Sequence, residues 1–282
     1  MTFSSHRVGS FPPAASRALF KRIASAAVLM PIVVFCVYAG GAYFSAMIAF
    51  ASIVMIFEWS RMVERRSLSS GFYVLAVGAC AVMYFAAAGS YLVALCICLS
   101  SGLGAAILSK RLIGVGVWMG GAAIYIVAPC IALLWLRLDV QGGKELTFLL
   151  YAVVWAADTG AFFFGKFIGG PKISHALSPS KTWAGIGGGV LGGSLIGALS
   201  AWYFLGLSSI LAFFIIGGGL GAASVLGDLV ESGFKRNFGL KDISGFIPGH
   251  GGALDRLDGM IFATSAMTCG LLVYMMFEKV QG

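Results

Sequence analysis

The sequence predicts an all-α protein, a polytopic transmembrane helix bundle of about nine spans with a cytoplasmic N-terminus. Three observations carry that prediction. The chain is 59% hydrophobic and 11% charged, whereas a soluble domain is about 25% charged. Its apolar residues fall in runs close to the roughly 20 residues that cross a hydrocarbon core. Its bases gather in alternate connections, as the positive-inside rule requires. Forty glycines add to this picture, because small residues let membrane helices approach closely. The net charge of +8 does not call for nucleic acid, since bases on one membrane face give the same total.

The elements follow in order. Residues 1–21 are polar, and Pro12-Pro13 argues against one continuous helix there, giving a cytoplasmic N-terminal segment. Apolar runs then predict spans at 22–39, 42–57, 72–88, 90–108, 113–136, 147–165, 184–205, 208–230 and 260–277. The first follows a long basic flank and reads as an uncleaved helix rather than a signal peptide. Short breaks occur at Gly40-Gly41, Gly89-Ser90 and Gly206-Leu207, and charged connections at 58–71, 109–112, 137–146, 166–183 and 231–259. Alternating from a cytoplasmic N-terminus places sixteen of the nineteen bases inside and leaves Arg137, Lys144 and Lys279 outside. The chain divides into N-terminal helices over 22–146 and a catalytic region over 147–282 whose loops 166–183 and 231–259 share one face. The cysteines Cys36, Cys80, Cys96, Cys98, Cys130 and Cys269 lie in apolar segments without metal-ligand spacing and read as small buried hydrophobes.

Charge is concentrated where function is expected. Five of the eleven acids and four of the nineteen bases lie between Asp228 and Asp258. Asp228, Glu231 and Ser232 share a helix face, and Asp255 and Asp258 stand at i, i+3. Between them, Pro248-Gly249-His250-Gly251-Gly252 offers backbone that can approach a phosphate closely. Asp158 falls inside an apolar helix, where an isolated carboxylate is costly, so it should face the bundle interior and meet a cation, a metal or hydrogen-bond donors. Span 184–205 opens with glycines four apart, the pattern of tight helix packing within or between subunits. Lys181-Thr182 resembles the end of a phosphate-binding P-loop, but Ser180 replaces the required glycine and no strand is expected before it.

Neighbouring carboxylates hold Mg²⁺ through oxygen with substrate phosphates completing the shell, and lysine and arginine neutralise phosphates. This set points to metal-assisted phosphoryl or nucleotidyl transfer at one membrane surface. A pore or carrier would instead place its ionisable groups near the midplane.

The stretch from Ser232 through Phe234-Lys235-Arg236, Lys241-Asp242, Ser244, Pro248 and His250-Gly251-Gly252 to Asp255-Arg256 and Asp258 resembles the signature of the phosphatidate cytidylyltransferase, or CDP-diacylglycerol synthase, family. It departs at Ala253, where the family usually has a larger apolar residue. Trp155–Lys166 and Ser178–Trp183 resemble the same family, so the likeness covers the chain from Trp155 onward. The resemblance implies transfer of a cytidylyl group from CTP to phosphatidate with Mg²⁺, giving CDP-diacylglycerol and pyrophosphate.

Asp228 and Asp255 flank the loop at the ends of two successive spans and are the expected metal ligands; Asp258, on the face of Asp255, is a further ligand or orients one, and these three with Lys241 and Arg256 form the expected catalytic set. Ser178, Lys181, Ser232, Lys235, Arg236, His250, Gly251 and Gly252 are the expected substrate-binding residues. His250 contacts a phosphate or ribose, or orders its loop. The expected setting is a bacterial inner membrane with the site facing the cytoplasm, and the glycine-rich helices permit a homodimer. A CTP-dependent lipid-alcohol kinase and a cation-coupled transporter using Asp158 and Asp228 remain as alternatives.

Overall fold

A computed structural model of the chain describes residues 13–65, 68–109, 113–174, 178–204, 209–240 and 251–281. Its helices are α1 (Pro13–Ala39), α2 (Gly41–Glu64), α3 (Ser70–Ala87), α4 (Tyr91–Leu108), α5 (Ile113–Ala122), α6 (Ala128–Leu138), α7 (Gly143–Phe167), α8 (Trp183–Phe204), α9 (Ile210–Asn237) and α10 (Leu254–Gln281). A π-helical turn over Ala123–Val127 joins α5 to α6 into one rod. Eight helices among the described residues are long and apolar enough to cross a membrane, and Ala24–Ala39 is a shorter apolar one. The protein is a multi-pass helical membrane protein.

The helices overrun the expected spans at their charged ends. Helix α1 begins at Pro13, where a proline's missing N–H costs nothing because a first-turn N–H has no partner. Helix α2 continues through Glu58 and Trp59 to Glu64, which shortens the connection expected at 58–71. Helices α9 and α10 take in both ends of the connection expected at 231–259 and leave only 238–253 between them. Turn-by-turn hydropathy stops at the first charges, but the helix itself continues where those charges find partners.

Two further expectations are corrected. The connection 166–183 holds an antiparallel hairpin, β1 (Lys172–Ser174) with β2 (Ser178–Thr182), in which Lys172 pairs with Thr182 and Ser174 with Ser178. A strand therefore does precede the helix at Lys181-Thr182, although the P-loop glycine is still missing. Of the six cysteines, Cys36, Cys98 and Cys130 are buried, whereas Cys80, Cys96 and Cys269 face outward on apolar helices.

Packing follows two styles. In the first half a side-chain core of Phe44, Trp59, Met62, Leu75, Met119, Ile126 and Leu134 is fully buried between α2, α3, α5 and α6. The π turn sits inside it. Pro129 donates no N–H and its ring would meet the carbonyl of residue 125, so the preceding turn widens. In the second half, α8 lies against α7 and α9 through backbone. A Cβ on Gly188 would strike the Gly160 carbonyl and the Phe164 side chain, and one on Gly193 would strike the Gly217 carbonyl. The glycines read in the sequence as a packing surface are thus used within the chain.

Candidate active site

Four helices, α7 to α10, and the hairpin line one cavity of about 540 Å³, α8 through Gly185 and Ile186. Helix α7 contributes Asp158, Phe162 and Lys166; β2 contributes Ser180, Lys181 and Thr182; α9 contributes Asp228, Glu231, Ser232 and Lys235; α10 contributes Asp255, Arg256 and Asp258. Five carboxylates and four bases therefore line one space.

The helix crossing sets the carboxylate geometry. A Cβ on Gly227 would press on the Asp258 carbonyl, and one on Gly259 would press on the Ser224 hydroxyl, so α9 and α10 cross in near backbone contact. The Asp228 carboxyl then lies within hydrogen-bonding reach of Asp258, and Glu231 within reach of Asp255. Each helix supplies one member of both pairs at i, i+3 spacing. Lys235 bridges the second pair, 2.9 Å from Glu231 and 3.0 Å from Asp255. Asp258 accepts the Gly259 N–H at 2.7 Å, and Asp255 accepts the Gly252 N–H at 3.3 Å.

The hairpin delivers the opposite wall. Trp183 N–H donates to the Pro171 carbonyl and closes the base of the hairpin. Thr182 caps α8 by accepting the Gly185 N–H at 3.1 Å. With the strand and the helix start fixed on either side of it, Lys181 reaches Asp228 at 3.0 Å. On α7, Lys166 sits over the Phe162 ring at 5.5 Å, beside the outward-facing Phe163 and Phe167.

Of the residues expected from the sequence, Asp228, Asp255, Asp258, Arg256, Lys181, Ser232 and Lys235 share the cavity. Ser178 stands one strand residue pair back, with its hydroxyl 3.5 Å from that of Ser180, which lines the cavity in its place. Arg236 lies beside Lys235 but outside the lining, and Gly251 and Gly252 lie at the entry to α10. Gly251 has φ 85°, a left-handed conformation that favours glycine. Lys241 and His250 lie outside the described residues. Asp158 does face the cavity, with Asp228, Arg256 and Lys181 as its electrostatic neighbours.

Sequence reasoning gave no site role to Glu231, Lys166 or Glu58. Glu58, on α2, is fully buried, and its carboxylate accepts the Ala253 N–H at 3.0 Å and the Leu254 N–H at 2.7 Å. A signal was present: Met55 and Met62, at i−3 and i+4, put Glu58 on an apolar, buried face.

Among the described residues no three acids, histidines or cysteines converge as a ready-made metal cage. The donors present nonetheless suit a hard divalent cation. They are carboxylate oxygens in close pairs, and Glu231 Oε1 is buried without a hydrogen-bond partner among the described residues. Mg²⁺ is commonly held by one or two carboxylates, with water and substrate phosphates filling the remaining positions.

Comparison with known proteins bears on this geometry. The sequence profile of the cytidylyltransferase family matches residues 20–274. The chain belongs to the cytidylyltransferase family. A phosphatidate cytidylyltransferase of Brucella suis biovar 1 is 31% identical over 261 residues, covering 87% of this chain and 90% of that protein. Proteins of the same name from Haemophilus influenzae and Synechocystis are 41% and 44% identical over shorter stretches. Those stretches cover 44% and 43% of this chain, and 45% and 41% of the respective relatives. The cytidylyltransferase match takes in both halves of the bundle, including the α2 segment that carries Glu58.

Proposed function

We propose that this protein transfers the cytidylyl group of CTP to phosphatidate, releasing pyrophosphate and forming CDP-diacylglycerol. The observation that carries the reading is the cavity itself: paired carboxylates and four bases on three membrane helices and the hairpin, in a chain of the cytidylyltransferase family. The bases suit phosphate-rich substrates, and the carboxylates suit the divalent cation that accompanies CTP.

The chemistry asks for positioning more than for a dedicated nucleophile. A phosphate oxygen of phosphatidate attacks the α-phosphorus of CTP. The bond from that phosphorus to the oxygen bridging the β-phosphate breaks, and pyrophosphate leaves with its electron pair. Mg²⁺, when bound, would neutralise charge on the triphosphate and polarise the α-phosphorus. We assign its binding to Asp228, Asp255 and Asp258. Lys235 holds Glu231 and Asp255 in place and offers its remaining donor to a phosphate. Lys181, Arg256, Ser232, Ser178, Arg236 and Lys241 are assigned to the substrate phosphates, Lys241 and Arg256 with a catalytic role. Gly251, Gly252 and His250 are assigned to the nucleotide side.

Lys166 is assigned to the lipid. Lys181 and Lys235 are drawn toward carboxylates, whereas Lys166 has no carboxylate within ion-pair distance among the described residues. It stands over Phe162, a ring that both lines the cavity and is 60% exposed on the apolar face. A lipid phosphate arriving from the bilayer would meet Lys166 while its acyl chains stay against the phenylalanines. We further assign the site to the cytoplasmic face of a bacterial inner membrane, on the positive-inside argument, and the region 147–282 to catalysis. A homodimer remains part of the reading, on the glycine-rich helices.

The test is turnover in detergent with phosphatidate, Mg²⁺ and CTP labelled in the α-phosphate. Label in the lipid with matching pyrophosphate release, lost with EDTA, is the expected result. Lipid labelled only from γ-labelled CTP would show a lipid kinase and overturn the reading. Cation flux in liposomes without nucleotide, and no labelled lipid, would point to a transporter.

A further inference from the structure

We infer that Glu58, in the N-terminal half of the chain, is the positioning residue that sets the first turn of α10 and thereby the placement of Asp255 and Asp258. The inference rests on the cytidylyltransferase reading for its chemistry, but its geometry stands apart from that reading. The first N–H groups of a helix have no partner within the helix. A neighbouring Ser, Thr, Asn or Asp usually caps them. Here the acceptor comes from a different helix, 195 and 196 residues away in sequence, and one carboxylate takes both the Ala253 and Leu254 N–H groups.

Three features distinguish this contact from an ordinary cap. First, Glu58 is fully buried, as is Leu254, and Ala253 is 8% exposed. A carboxylate so enclosed is costly unless its oxygens are bonded, and the positive end of the α10 dipole lies directly against it. Second, the fit is close. A Cβ added at Gly252 would sit 2.9–3.0 Å from the two Glu58 carboxylate oxygens, so a side chain there would push the carboxylate back from the α10 start. Gly252 in turn gives its own N–H to Asp255 Oδ2. Third, the next residue of α2 fixes the other helix of the site. The Trp59 ring meets Phe234 of α9 at 5.4 Å and Tyr125 at 5.3 Å, and its Nε1 donates to the Trp118 carbonyl at 2.9 Å. Phe234 is the immediate neighbour of Lys235. One turn of α2 therefore holds α10 by charge and α9 by aromatic packing, and so fixes the register in which Asp228 faces Asp258 and Glu231 faces Asp255.

A glutamine at position 58 keeps the shape but offers one good acceptor and turns an amide N–H₂ toward the second backbone N–H. Groups that orient a metal's ligands typically change metal affinity or activity about 10–100-fold when removed. The experiment compares wild type, Glu58→Gln, Glu58→Asp, Gly252→Ala and the Glu58→Gln/Gly252→Ala double variant, each purified and shown monodisperse in detergent. Three quantities are read: kcat with saturating CTP and phosphatidate, the Mg²⁺ concentration for half-maximal rate, and Mn²⁺ affinity by electron paramagnetic resonance without substrate. Glu58→Gln is expected to lower kcat about 10–100-fold and to weaken both Mg²⁺ dependence and Mn²⁺ binding, with the KM for phosphatidate within about twofold of wild type. Glu58→Asp, which keeps the charge, is expected to recover part of both losses. The double variant is expected to be no worse than about threefold below the poorer single, because both changes break one contact.

Overturning results are equally definite. Glu58→Gln with kcat and cation dependence within about threefold of wild type sinks the proposal, as does a folded fraction that falls while its molecules keep wild-type cation affinity. If Glu58→Gln fails to fold, Glu58→Asp decides by the same criteria, with the substrate-free Mn²⁺ affinity of Gly252→Ala as the second reading, since Gly252 is also assigned to the nucleotide side. Absence of wild-type turnover would sink the functional reading alone, and the Mn²⁺ measurement would still decide the role of Glu58.

Discussion

The two halves of this bundle differ in the balance of their packing, although α4 and α5 also approach through backbone at Gly102, Gly116 and Gly120. In α2–α6, bulky side chains such as Phe44, Met62, Leu75 and Leu134 fill the space between helices. In α7–α9, helices meet backbone to backbone through Gly160, Gly188, Gly193, Gly197 and Gly217. Lipid tails are as apolar as leucine, so burial gives little net drive inside a bilayer and close contact must supply it. The glycine-packed half gains a second benefit. Helices drawn this close bring Asp158, Asp228 and the Lys181 hairpin around one cavity. Among the described residues the side-chain-packed half contributes none to the lining, yet through Glu58 and Trp59 it holds both helices that bear the carboxylate pairs. One half thus forms the site and the other braces it.

That contrast can be broken by substitution. The largest effect is expected in the site-forming half: Asp228→Asn and Asp255→Asn should each cut kcat at least about 10²–10³-fold. Both should leave the elution profile and thermal midpoint in detergent near wild type. Near-normal turnover in both would remove the aspartates from the mechanism. In the bracing half the expected pattern inverts. Leu134→Ala should destabilise by about 3 kcal/mol through lost packing and a cavity, while kcat per folded molecule stays close to wild type. A loss of kcat without a loss of stability would show that this core reaches the site.

Gly217→Ala lies between these extremes. Its Cβ would press on the Gly193 carbonyl, with Gly197 Cα 3.1 Å away, so α8 and α9 must separate at a cost of about 2 kcal/mol. Because the same contact shapes the cavity, both the thermal midpoint and kcat should fall, and a change in only one would separate packing from site formation. The smallest effect is expected at the membrane-facing wall. Lys166→Ala should raise the KM for phosphatidate about fivefold, worth about 1 kcal/mol, with the KM for CTP unchanged. A rise in the CTP value instead would move Lys166 to the nucleotide side.

The sequence determined a good deal by itself. Apolar runs and the scarcity of charge gave the helical membrane class, because few other compositions satisfy backbone groups inside lipid. The i, i+3 spacing of Asp255 and Asp258, and of Asp228 and Glu231, put each pair on one face before any fold was known, because helical periodicity is local. The long signature from Ser232 to Asp258 named the family. The rest was decided by tertiary structure. The hairpin at Lys172–Thr182 was hidden because its strands are three and five residues long and polar, too short for an alternating pattern to show. The pairing of Asp228 with Asp258 and of Glu231 with Asp255 depends on where Gly227 and Gly259 let two helices cross. Glu58 looked like the first charge of a loop, although the apolar face around it was visible. What assigns it to α10 is a contact across 195 residues, which no local pattern encodes: a buried carboxylate is stable only where donors converge on it, and the folded chain alone decides where they do.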